Sequence, residues 1–134
     1  MSTTISQQAS RFALDQLEHA NVDKEFAVLT AGLPAMILQN GFGQALAFLC
    51  AKGTDKNGNF SRNDKHLTAF RIIAAWLKKR NVVQDDEPKK LLDQLSKMPQ
   101  WNYLRAHEEF LAVLEWVKRY ANSALFLSDN GGGE

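Results

Sequence analysis

Apolar residues recur along this chain at steps of three and four, the signature of amphipathic helices. Between Thr4 and Ala20, Ile5, Ala9, Phe12, Ala13 and Leu17 alternate with polar Gln8, Arg11, Asp15 and Glu18, and Asn21 closes that helix. The spacing predicts a short helix over residues 23–31, with Asp23 as N-cap and Phe26 and Leu29 on its apolar side. Gly32 ends it. Pro34 suits the first turn of a longer helix reaching Lys52, with Gly53 as a left-handed cap. GTDKNGNFSRN, residues 53–63, is rich in turn formers and reads as a loop. Asn63 or Asp64 caps a further helix through Arg80, in which His66, Phe70, Ile73 and Leu77 form one stripe beside Ile72 and Trp76. A short helix spans residues 88–97. The strongest pattern belongs to the last helix, from about Pro99 to Leu127, which aligns Tyr103, Ala106, Phe110, Val113, Val117, Tyr120 and Ala124.

Strand signals are nearly absent, so the expected fold class is all-α: a compact single-domain bundle of about six helices over residues 1–127, then a disordered tail, SDNGGGE, over 128–134. The 134 residues are 45% hydrophobic, enough for one core without disulfides or metal, and the net charge of +1 commits the whole chain to no partner. Cys50 is the lone cysteine, which fits a reducing cytoplasm. No basic segment followed by an apolar run opens the chain, and no stretch reaches the roughly 20 apolar residues of a membrane span, so no membrane partner is expected.

The chemistry-bearing candidates are few. Gly41-Phe42-Gly43 begins like a dinucleotide loop, but Leu46 stands at the third glycine position and no strand precedes it. Glycine inside a helix costs about 1 kcal/mol against alanine, so its presence implies close approach of another backbone or side chain. Helical spacing sets Met36, Asn40, Gly43, Ala47 and Ala51 on one side as a channel of mostly small residues. Two readings follow: packing within the molecule, or a subunit interface at which Asn40 and Gln44 supply hydrogen bonds.

Asp55, Asn57 and Asn59 alternate as the first ligands of a calcium loop do, but Phe60 replaces the required glycine and His66 the bidentate glutamate. His19, His66 and His107 lack zinc-ligand spacing. Asp85-Asp86-Glu87 reads as helix initiation and Glu108-Glu109 as a solvated helix face. No metal, no cofactor and no enzymatic activity are expected.

Charge is distributed unevenly. From Lys52 to Arg80 the basic residues are Lys52, Lys56, Arg62, Lys65, Arg71, Lys78, Lys79 and Arg80, against the acids Asp55 and Asp64. That excess suits sequence-independent phosphate contacts by Lys52, Arg62, Lys65, Arg71, Lys78 and Lys79, and equally suits a solvated helix with a cationic end. Trp116 falls with Arg119 on the polar side of the last helix, either packed under the N-terminal helix or anchoring a subunit interface.

Leu33-Pro34, Ile37 and then Asn40-Gly41-Phe42-Gly43-Gln44-Ala45-Leu46-Ala47-Phe48-Leu49 resemble the LP..I..NGLGQALAF signature of the small α-helical subunit family of type III-B CRISPR-Cas (Cmr) effector complexes. YLRAHEEFLAVLEWVKRYA, residues 103–121, is similar to that family's aromatic-Arg region, with Phe42, His107 and Val117 departing from the pattern. The resemblance implies a non-catalytic RNA-binding role in antiviral defence. Copies of the chain would stack as an inner filament beside backbone and large subunits, along the guide RNA–target RNA duplex. A protein-only helical adaptor without RNA contact is the competing expectation.

Overall fold

The computed structural model describes residues 2–60 and 64–127. Arg62 and the expected tail 128–134 lie outside the described residues. Six helices follow one another: α1 (Ile5–Glu18), α2 (Lys24–Asn40), α3 (Phe42–Gly53), α4 (Lys65–Lys79), α5 (Pro88–Lys97) and α6 (Gln100–Ala121). The all-α class is as expected.

Most helix starts carry a side-chain cap that satisfies amides left free in the first turn. Thr4 and Gln7 form a reciprocal capping box on α1. Asp23 caps α2 through the Phe26 amide at 2.8 Å, and Asp64 caps α4 through the amides of His66 and Leu67. Glu87 caps α5 ahead of Pro88 in its first turn.

One boundary differs from the expectation. The break falls at Gly41, not between Ala31 and Pro34: α2 runs through Gly32 and Pro34 and stops at Asn40. Pro34 lacks an amide hydrogen, but tertiary packing of Leu33 and Ile37, both essentially buried, holds the helix across it. Gly41 has φ 86° and ψ 157°, a region open to little but glycine, and there the chain turns into α3. The mid-helix channel expected from Met36 to Ala51 is therefore an elbow between two helices. Gly53 is likewise no left-handed cap. It is the last residue of α3, buried where a Cβ would lie 2.9 Å from Leu67 Cβ. The last helix also stops at Ala121, short of Leu127.

The long α6 is the axis of the bundle, burying Ala106, Phe110, Val113, Leu114, Val117 and Ala121. Along one flank, Trp116 Nε1 donates to Ser6 Oγ at 3.2 Å and Ser10 Oγ lies 2.6 Å from Tyr120 Oη, which sets α1 against it. On the other flank α2 runs antiparallel to α6: Asn122 Nδ2 donates to the Ala27 carbonyl at 3.1 Å, and at the far end Phe42 meets the rings of Tyr103, His107 and Phe110. Trp76 of α4 is fully buried, and its indole N–H is satisfied by the Glu109 carbonyl at 3.0 Å. Among the described residues, no helix is long and apolar enough to cross a membrane.

Candidate functional site

Of the basic residues singled out in the sequence, Lys65, Arg71, Lys78 and Lys79 lie on α4, but they are not equally free. Arg71 and Lys78 share one edge of its exposed arc, seven positions and about 10 Å apart along the axis. Arg71 has no ion-pair partner among the described residues, and Lys78 approaches Asp86 only at 3.8 Å. Lys79 leans over the Phe12 ring of α1, 5.5 Å from its centroid. Lys65 lies further round the helix and is engaged by Glu25 of α2 at 2.8 Å, an interaction that raises its pKa. Lys52 is exposed near the end of α3, on a different helix. The structure thus sets Arg71 and Lys78 on one edge of α4 and leaves Lys52, Lys65 and Lys79 apart from them.

The residues expected at a subunit interface separate into two places. Asn40 and Gln44 are exposed on either side of the Gly41 elbow. Gly43 sits so close to Tyr103 that a Cβ there would lie 2.7 Å from the hydroxyl oxygen. Gly43, Gln44, Ala47, Leu92, Leu95, Ser96 and Tyr103 line a groove of about 340 Å³ between α3, α5 and the start of α6. Trp116 and Arg119 belong to the opposite end of α6. There Trp116 stacks on Tyr120, with centroids 5.5 Å apart, and packs against α1, while Arg119 is exposed. The packed position of the indole is the N-terminal-helix arrangement named as one of its two readings.

Glu109 corrects a sequence expectation. It is only 6% exposed, not on a solvated face, and Arg80 Nε donates to its carboxylate while Arg80 Nη2 lies 3.0 Å from Oε2. Arg105 in turn donates to the Arg80 carbonyl at 2.9 Å, and Arg80 reaches Gln8 of α1 at 3.4 Å. This assembly joins α1, α4 and α6. The only available sequence signal is the position of Glu109 one residue before Phe110, too common a juxtaposition to reveal a buried ion pair.

Asp55 holds the loop after α3 by accepting from the amides of Asn57 and Asn59, both at 2.9 Å, so its carboxylate serves a turn. His66 is tied to Asp64 at 3.1 Å and lies edge-on to Phe48. Among the described residues, no three His, Cys, Asp or Glu side chains come together as a metal site.

A family model described as CRISPR-associated protein (Cas_Cmr5) matches residues 5–124. The chain belongs to the Cmr5 family. A relative named CRISPR system Cmr subunit Cmr5, from Thermus thermophilus, is 26% identical over 101 residues, 75% of each chain. The crystal structure of a CRISPR-associated Cmr5 family protein, also from Thermus thermophilus, superposes with a TM-score of 0.67 at 25% identity, covering 94% of this chain and 100% of that one. The Cmr5 match spans all six helices, and so includes both the Gly41 elbow and the Arg80–Glu109 assembly.

Proposed function

We propose that this chain is a non-catalytic small subunit of a type III-B Cmr effector complex. In this reading several copies stack as an inner filament beside the backbone and large subunits and contact target RNA held against the guide. Membership of the Cmr5 family supports the complex. The observation that carries the RNA contact is the exposed pair Arg71 and Lys78 on one edge of α4, with Lys79 one position further. Cations along one edge bind successive phosphates without reading bases, which suits a machine whose guide reads sequence. Lys52, Arg62 and Lys65 extend the contact in the same reading, and repetition of the chain along a filament turns weak single contacts into avidity. The Asn40–Gln44 elbow and the Trp116–Arg119 end supply separate contacts to neighbouring subunits.

A protein-only adaptor is the second reading. It is favoured by the engagement of Lys65 with Glu25 and of Lys79 with Phe12, which occupies two of the cations within the chain.

The test is target-RNA affinity of the reconstituted complex across a salt series, with wild-type chain and with the Arg71→Glu, Lys78→Glu double variant. The expected result is roughly tenfold weaker binding and a shallower dependence of log affinity on log salt, by about 0.7 for each phosphate no longer neutralised. Unchanged affinity and slope would leave the adaptor reading standing.

A further inference from the structure

The outer face of α2 is apolar, which is out of place on a surface helix. Val28 is 63% and Leu38 82% exposed, and Ala31, Gly32 and Ala35 between them are exposed as well. They recur at helical steps as a stripe about 15 Å long, opposite the buried Phe26, Thr30, Leu33 and Ile37. No charged residue occurs anywhere from Phe26 to Ala51, so nothing along this stripe attracts a polyanion. The centre is a saddle of small residues. A Cβ built on Gly32 would meet nothing within 4 Å, leaving room for another helix to approach.

We propose that a second copy of this chain covers this face, with the two α2 helices antiparallel about a two-fold axis. Shape favours that occupant. Ala31 of each copy lies over Ala35 of the other at a close crossing, and Val28 and Leu38 fill the space where two helices crossing at an angle diverge.

Charge selects it. Because α6 runs antiparallel beside α2, fixed by Asn122 on Ala27 at one end and His107 against Phe42 at the other, Glu108 is level with the C-terminal end of α2. Lys24 marks the N-terminal end. The two-fold axis carries Lys24 of each copy to the level of Glu108 of the other, and brings Glu115 level with Arg119. Lys24 and Glu108 are both exposed, and neither has an ion-pair partner among the described residues. The face excludes Arg71 and Lys78, so the pairing does not rest on the RNA reading; being isologous, it closes at two copies and is separate from the contacts that would stack the chain as a filament.

Sedimentation velocity on the full chain tests it. The expected result is a species of twice the monomer mass that dissociates on dilution. Ala35→Glu, a change at an exposed helical position, gives monomer with unchanged helicity by circular dichroism. Lys24→Glu and Glu108→Lys each weaken the dimer several-fold, and the two swaps together restore it. A chain that stays monomeric up to roughly 100 µM, where a micromolar dimer is saturated, overturns the proposal. So does a dimer indifferent to Ala35→Glu. Failure of the double swap to recover affinity overturns the two-fold arrangement.

Discussion

Arg80 and Glu109 form an ion pair inside the bundle, the guanidinium Nε lying 3.1 Å from both carboxylate oxygens. Glu109 has 7% of its side chain exposed and Arg80 22%, so removing either partner strands a largely desolvated charge. Glu109→Ala should lower unfolding free energy by about 3 kcal/mol, at the lower end of the range for a broken buried pair because Arg80 keeps some contact with water. Urea denaturation measures it. An Arg80→Met, Glu109→Leu double variant should recover most of the loss, since an apolar pair of similar volume avoids the desolvation cost. A double variant as unstable as Glu109→Ala would mean that the hydrogen bond from the Arg80 side chain to Gln8 carries the stability instead.

Gly43 and Tyr103 give a prediction whose sign depends on one oxygen. An added methyl at residue 43 would lie 2.7 Å from the Tyr103 hydroxyl but 3.7 Å from the ring carbon that bears it. Gly43→Ala should therefore destabilise the wild-type chain by about 1 kcal/mol, the modest cost of crowding a packed site. In a Tyr103→Phe background the same change should be neutral or stabilising, because the clash is gone and alanine's better helix propensity remains. Thermal melts of the four proteins close the cycle, and equal effects in both backgrounds would exclude the contact as the reason for glycine.

Cys50 is half-buried, and burial, followed by the negative charge of Glu87, pushes its thiol pKa up. The thiolate is the reacting species, so iodoacetamide should modify native Cys50 more slowly than the unfolded chain near pH 8, with the rate midpoint displaced to higher pH. The stability linkage has the matching sign. A raised folded pKa contributes fully below the unfolded value and is lost as pH rises through the folded one, so stability should decline on the alkaline side. Glu87→Gln should bring the midpoint partway back; alkylation at the unfolded rate would contradict the burial.

The periodic helices were legible in the sequence because one side of each is buried, and Thr4, Asp23, Asp64 and Pro88 marked their starts through local hydrogen bonding and fixed φ. The α2 break falls elsewhere than the sequence expectation because Gly32 and Pro34 are the stronger local punctuation, whereas Gly41 is distinguished by a positive φ that only the folded chain shows. Glu109 looks solvated in the sequence because its partner lies 29 positions earlier, and local spacing carries no signal of such a pairing. The candidate basic set was legible as charge. Its division was not, since the partners of Lys65 and Lys79 come from α2 and α1.

The bend at Gly41 gives a single uncharged segment two outlooks. A straight rod would hold the Val28–Leu38 stripe and the Gly43–Ala47 groove about one axis, roughly a quarter-turn or more apart. Turned at the elbow, the same residues face along two different axes, so that even so small a chain has two differently directed surfaces without a single additional residue.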